Sequence, residues 1–137
     1  LHAPPLPGSP RCRQTWSEIE THVLRDAAAL VDGGVDGLML ENFGDTPFCP
    51  GAVPPVTIAA LTRLGLAVRQ RIAMPLGLNV LRNDAVAALS IATVVGGLWI
   101  RVNVLSGTRV TDQGLITGPA YDLLRLRAAL RAEHVKI

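Results

Sequence analysis

The sequence predicts an α/β fold in which parallel strands alternate with helices as the first half of a TIM-type (β/α)8 barrel. Two short apolar segments, Leu76–Leu81 and Leu98–Asn103, are predicted as buried strands, because nearly continuous apolar runs are typical of covered parallel sheets. Each ends in polar residues, and such folds place ligand sites at the carboxyl ends of their strands. No G-x-G-x-x-G follows any strand, which disfavours an open dinucleotide-binding sheet.

The first 34 residues are predicted to contain the end of a strand, a rigid loop and a helix. Leu1-His2 represents the first strand, and the prolines after it cannot donate to a β-ladder. Ser17 is predicted to cap the helix with Glu20 at capping-box spacing, and Gly33-Gly34 ends it. The prolines are Pro4, Pro5, Pro7 and Pro10.

The other elements continue the alternation, with Pro54-Pro55 in a first helical turn, where proline is tolerated. In chain order they are a strand over Gly37–Glu41, a helix from Pro54-Pro55 to Ile72, the strand Leu76–Leu81, a helix from Asn83 or Asp84 to about Val95, the strand Leu98–Asn103, a long loop, a helix from about Pro119 to Ala132, and a strand start at Val135-Lys-Ile137. Residues 1–137 are thus expected to form one partial barrel of about four βα units plus the start of strand five. A complete barrel is typically about 250 residues, and both ends suggest a fragment of a longer protein.

Composition narrows the function classes. A formal net charge of +2, with 13 basic and 11 acidic residues and few aromatic residues, argues against nucleic-acid binding. No stretch is apolar and long enough to span a bilayer. Cys12 and Cys49 lack zinc-type spacing and are predicted to be free thiols in a reducing compartment. We expect a cytoplasmic protein, or one at a membrane surface or in an organelle, and the sequence leaves the cofactor unknown.

Six motifs resemble the BtpA family in order and spacing from end to end of the chain. They are Pro4-Pro-Leu-Pro-Gly-Ser-Pro10, Gly34-Val-Asp-Gly37, Glu41-Asn-Phe-Gly-Asp-Thr-Pro-Phe48, Asn79-Val-Leu-Arg-Asn-Asp84, Ile100-Arg-Val-Asn103 and Thr111-Asp-Gln-Gly-Leu-Ile116. The resemblance implies a barrel of the ribulose-phosphate-binding kind and covers the amino-terminal half of the family pattern. The family is named for a photosystem I assembly and stability factor, and its other members lack an assigned reaction.

Side-chain alternation predicts a polar cluster at one end of the sheet interior. Because neighbours along a strand point to opposite faces, Glu41, Asn79, Arg101 and Asn103 are expected to point inward. A buried Arg101 needs a partner, and Glu41 is the predicted one. Two interpretations stay open: a structural Arg–Glu pair, or a guanidinium that binds a carboxylate or phosphate of a substrate.

Further candidate residues follow the strands. His2 and Glu41 are candidate proton carriers, and Asp112 on the long loop is a candidate acid or base. Binding candidates on the loops are Asn42, Asp45, Arg82 and Asn83, although Asn83 or Asp84 also suits a helix cap. His2, Glu41 and Asp45 are of the types that bind a divalent cation, but their spacing does not require one, and no metal site is predicted.

Two functions of different classes fit these observations. One is an enzyme that binds a small phosphorylated or carboxylated metabolite at the strand ends. The other is a non-enzymatic factor that assembles a larger complex, with a structural polar core. An isolated half-barrel leaves open sheet edges, so we also expect a homo-oligomer.

Overall fold

A computed structural model describes all residues 1–137 and contains four helices and five short strands. In chain order these are α1 Trp16–Asp32, β1 Leu38–Glu41, α2 Pro55–Arg71, β2 Leu76–Asn79, α3 Ala85–Val95, β3 Trp99–Ile100, β4 Thr108–Thr111, β5 Gly114–Thr117 and α4 Ala120–Ala129. The predicted α/β alternation is confirmed.

The central sheet is parallel, with strand order β1-β2-β3. Single parallel bridges extend it on both sides, one from His2 to Glu41 and one from Trp99 to Lys136. The predicted first and fifth strands therefore lie at its two edges. This is the strand sequence of the first half of a (β/α)8 barrel. Self-association of the chain stays a prediction, for which sedimentation is the direct test.

The apolar core lies between the sheet and the helices. On the helix-facing side, Leu38 and Leu40 of β1 and Leu76 and Leu78 of β2 are at most 2% exposed, as the alternation predicted. The prediction fails for Leu98, which is 46% exposed. The backbone of Leu98 still pairs with Leu76 and Lys136, so its side chain lies at an uncovered end of the sheet rather than outside it.

On the other face of the sheet, the side chains form successive layers along the direction of the strands. A Cβ on Gly77 would overlap the Trp99 indole, and one on Gly37 would lie 2.9 Å from its Cη2 atom. The indole therefore fills the interior near the start of the strands. Asn79 and Arg101 each lie two residues further along, on the same faces as Gly77 and Trp99. The polar residues thus form the next layer toward the carboxyl ends.

Two local predictions need correction. The capping box of α1 uses Thr15 and Glu18, not Ser17 and Glu20. Both pairs fit the pattern, but the Glu20 carboxylate instead accepts from the Trp16 indole at 3.1 Å and lies near two arginines of α2. The predicted loop after Asn103 contains an antiparallel hairpin, β4–β5.

Candidate functional site

Glu41, Asn79 and Arg101 form one row across the three parallel strands. Glu41 is the register partner of Asn79, and the pairing of Leu78 with Ile100 places Arg101 beside Asn79 on the other side. Arg101 Nη2 lies 3.0 Å from Glu41 Oε1, so the predicted ion pair is confirmed. It joins the two strands that flank the one carrying Asn79. We call these three residues the polar row.

The two charges of the polar row differ in burial. Glu41 is 6% exposed, whereas the Arg101 side chain is 50% exposed. The expectation of a buried Arg101 is therefore wrong, because this face of the three-stranded sheet is open at the arginine. The Glu41 carboxylate therefore depends more on the ion pair than the Arg101 guanidinium does, because water can solvate the guanidinium.

Asn79 is the one buried side chain in the row with an unused donor. The residue is 1% exposed, and its Nδ2 group has no hydrogen-bond partner. Buried polar groups are nearly always paired, and leaving one unpaired costs about 1–3 kcal/mol. The Nδ2 group of Asn79 therefore remains free to donate a hydrogen bond.

His2 stands at the edge of the polar row. Its Nε2 lies 3.8 Å from Glu41 Oε2, and its ring stacks on Phe43 with a centroid distance of 4.2 Å. The imidazole side chain is 58% exposed. His2 is thus held near the carboxylate while remaining open to solvent.

The side-chain amides of Asn42 and Asn83 each pair with both the N–H and the C=O group of one distant backbone residue. The Asn42 side chain accepts from Leu81 N at 2.7 Å and donates to Leu81 O at 3.3 Å. The Asn83 side chain accepts from Val104 N at 2.8 Å and donates to Val104 O at 3.0 Å. Each amide imitates a peptide group and extends the sheet beyond its last strand residue. These contacts orient the strand ends, and both amides are already engaged.

Arg82 and Asp112 contact each other. Arg82 Nη2 lies 2.7 Å from Asp112 Oδ1, Arg82 Nε donates to Gln113 Oε1 at 2.6 Å, and the guanidinium lies over the Phe48 ring. The turn of the β4–β5 hairpin is thereby fastened to the end of β2. Asn103 lies on the surface and donates to Arg82 O at 2.6 Å.

Asp45 lies away from the polar row, against the proline-rich segment. Its Oδ1 accepts from Leu6 N at 2.8 Å, and its Oδ2 accepts from Asn42 Nδ2 at 3.3 Å. Burial raises the pKa of this carboxyl above its ordinary value, since these hydrogen bonds only partly compensate for lost hydration.

The raised pKa of Asp45 gives a pH-dependent prediction. The folded state binds a proton at Asp45 more readily than the unfolded state, so the ionised carboxylate costs stability at neutral pH. The cost falls as the pH drops through the raised pKa. The stability of the parent relative to Asp45→Asn should therefore rise as the pH falls through the raised pKa, because only the parent takes up the proton. Denaturant melts of both proteins across this range measure the difference, and a parent that loses stability relative to Asp45→Asn on acidification would contradict the assignment.

Sequence reasoning missed two parts of this end of the molecule. Asp84 not only caps α3 through Ala87 N but also accepts from Val53 N at 2.8 Å, which fixes the preceding loop. Gln113 joins Asp112 in holding Arg82. Strand alternation did predict that Trp99 shares the face of Arg101, and its indole fills the interior beneath the row.

The structure contains no group of three or more His, Cys, Asp or Glu residues arranged to hold a metal ion. Cys12 and Cys49 are free and partly buried. None of the helices combines the length and apolar character needed to cross a membrane.

The fold and its polar strand ends define a parallel α/β half-barrel with a candidate site at the carboxyl edge. The pattern of the BtpA family matches residues 1–137, and the chain belongs to that family. It is 45% identical over 130 residues to an uncharacterised protein of Methanocaldococcus jannaschii, covering 95% of this chain and 49% of the relative. It is 47% identical over 133 residues to an uncharacterised protein of Thermococcus kodakarensis, covering 97% and 51%.

A third relative carries a functional name. The chain is 44% identical over 133 residues to the photosystem I biogenesis protein BtpA of Synechocystis, covering 97% of this chain and 46% of the relative. The chain thus spans about half the length of these relatives. No solved structure matches it.

Proposed function

We propose that the polar row forms part of a binding site for a small carboxylated or phosphorylated metabolite. The single observation that carries this proposal is the buried Asn79 amide, which lacks a partner beside the half-exposed guanidinium of Arg101. A purely structural ion pair between Glu41 and Arg101 does not require a buried Asn79 amide that lacks an acceptor. A ligand oxygen at this position would satisfy it.

The donors of the row suit an anion. A guanidinium has five N–H donors in a planar fork, and Glu41 occupies only one side of that fork. An anion that draws the guanidinium away from Glu41 gives access to the Asn79 amide beneath it. Arg101 then supplies the charge, and Asn79 orients the ligand. The Asn79 amide gives up no existing hydrogen bond in doing so.

Proton transfer in this proposal belongs to Glu41 and His2. A carboxylate freed from Arg101 remains near the imidazole, whose outer face is open to solvent. The pair can thus pass a proton between a bound ligand and water. Asn42 and Asn83 fix the strand ends around the ligand, and Asn103 lies at the rim. Arg82 and Asp112 hold the hairpin over this end of the sheet.

A second candidate function is assembly of a larger complex. Val110 and Leu115 face each other across the hairpin and are 84% and 73% exposed. An exposed apolar pair on a strand hairpin suits contact with another protein or a membrane surface. The name of the Synechocystis relative agrees with such a role.

Anion titrations distinguish the two functions. Inorganic phosphate and malonate are titrated into the chain by calorimetry. We expect Arg101→Met to weaken binding at least tenfold, because a hydrogen bond to a charged group contributes about 1.5–3 kcal/mol. Glu41→Gln should strengthen binding, because it frees the guanidinium. Arg109→Met, which removes an exposed arginine of the hairpin, is the matched control.

Asn79→Leu separates binding from structure. It removes an unpartnered donor at similar volume, so stability should hold or rise while anion affinity falls. Equal anion affinity in the parent, Arg101→Met and Asn79→Leu would refute the metabolite site. If in addition Val110→Ser with Leu115→Ser abolished association with a membrane or protein partner, the assembly function would stand instead.

A further inference from the structure

A cavity lies apart from the polar row. Its volume is about 220 Å³, and it lies between residues 8–10, the loop from Asn42 to Val53 and the N-terminus of α2. The two longest motifs of the sequence, Pro4–Pro10 and Glu41–Phe48, both contribute to its lining. The proposed function uses neither this cavity nor most of these residues.

The cavity and the polar row use different residues at the end of β1. Glu41 belongs to the row, whereas the next residue, Asn42, lines the cavity. None of the three row residues lines the cavity, whereas Val56 and Thr57 of α2 do. A ligand in the cavity therefore contacts the helix layer.

Three polar groups at the cavity have unused hydrogen-bonding capacity. The Ser9 hydroxyl is buried without a partner, so turning it toward the cavity breaks no hydrogen bond. Each oxygen of Asp45 accepts one bond from the chain and keeps capacity for another. The first turn of α2 has no side-chain cap, which leaves the backbone N–H of Val56 without an intrahelical acceptor.

This set of groups excludes simple ions. The Asp45 carboxylate repels an anion at the helix terminus. A cation would find only one carboxylate and would face the positive end of the α2 dipole. A hydroxyl group both donates and accepts, so neighbouring hydroxyls can donate to Asp45, pair with Ser9 and accept from Val56.

We infer that this cavity binds a small polyol or the hydroxylated edge of a sugar. Its volume corresponds to about seven water molecules at ~30 Å³ each, which suits a short polyol. The inference does not depend on the proposed anion site, since the two share no ligand-contacting side chain.

Cys49 provides a built-in probe, because it lines the cavity and Cys12 does not. The chain is alkylated with iodoacetamide, and the modification rate of each cysteine is followed by peptide mass spectrometry. Erythritol and ribose are expected to slow alkylation of Cys49, about tenfold at ten times the dissociation constant. The rate at Cys12 should not change. Protection of Cys49 from alkylation can be measured whether the chain is a monomer or an oligomer.

Two variants test the contacts. Ser9→Ala should raise the polyol concentration needed for protection about five- to tenfold, the loss of one hydrogen bond, while the melting midpoint holds or rises. Asp45→Asn should also weaken protection. Ser106→Ala, at an exposed serine, is the control.

The outcomes separate the alternatives. Protection by phosphate or Mg²⁺ but not by polyols would overturn the inference in favour of an ion site. Unchanged Cys49 rates with every probe, or equal protection in the parent and Ser9→Ala, would overturn it outright. Failure of anion binding at Arg101 would not contradict the inference of a polyol site.

Discussion

Gly44→Ala is expected to destabilise the chain by about 3 kcal/mol or to prevent folding, the upper range for overpacking a well-packed site. A Cβ at Gly44 would overlap backbone atoms of Pro4 and Pro5. Neither side can yield easily, because Ala3 N donates to Glu41 O at 2.8 Å and Leu6 N donates to Asp45. The close approach of these two segments explains why the loop after β1 has glycine at this position.

Gly51→Ala is the matched control for Gly44→Ala. Gly51 lies in the same loop, its backbone is not in the left-handed region, and nothing lies within 4 Å of an added Cβ. Alanine there should leave stability unchanged or raise it by about 0.4–1 kcal/mol, because it restricts the unfolded chain. Urea denaturation compares the two. Equal midpoints would mean that the proline-rich segment does not pack on Gly44.

Arg101→Met is expected to lower the free energy of unfolding by about 2–3 kcal/mol. It leaves the buried Glu41 carboxylate without its arginine partner, and the remaining ion-pair contact is the more distant His2, at 3.8 Å. The value is below the 3–5 kcal/mol typical of breaking a fully buried pair, because Arg101 is half exposed. Glu41→Gln should cost less, since it leaves a guanidinium that water can solvate.

A double-mutant cycle isolates this pair. In Arg101→Met with Glu41→Gln the unpaired buried charge is gone, so the double variant should recover most of the loss seen in Arg101→Met alone. Chemical denaturation of the four proteins gives the coupling energy. Additive losses would mean that the two side chains do not interact in solution.

Much of the fold could be predicted because the relevant signals are local. Apolar strand segments, proline at the start of α2 and Asp84 at the start of α3 each act through neighbouring residues. Alternation along the strands then brought Glu41, Asn79 and Arg101 to one face. The capping box shows the limit, since two overlapping pairs fit one pattern and only the contacts of Glu20 with α2 decide between them.

The rest depends on contacts that are distant in sequence. Asn42 and Asn83 were predicted as binding residues or a cap, yet their amides pair with backbone 39 and 21 residues away. No pattern around either asparagine indicates those partners. The hairpin was predicted as a loop because its strands are short and mostly exposed, without the apolar alternation of a buried strand. The exposure of Arg101 follows from an open sheet face, which strand parity alone does not reveal.

The side-chain amide of Asn79 tests the metabolite site most directly. Its ¹H–¹⁵N resonances can be assigned by their loss in Asn79→Leu and followed while phosphate or malonate is added. We predict that they shift and saturate with the same affinity as the calorimetric titration, and that Arg101→Met moves the shift to at least tenfold higher anion concentration. Resonances that stay fixed while either anion saturates the chain, or the absence of binding by both, would contradict the site.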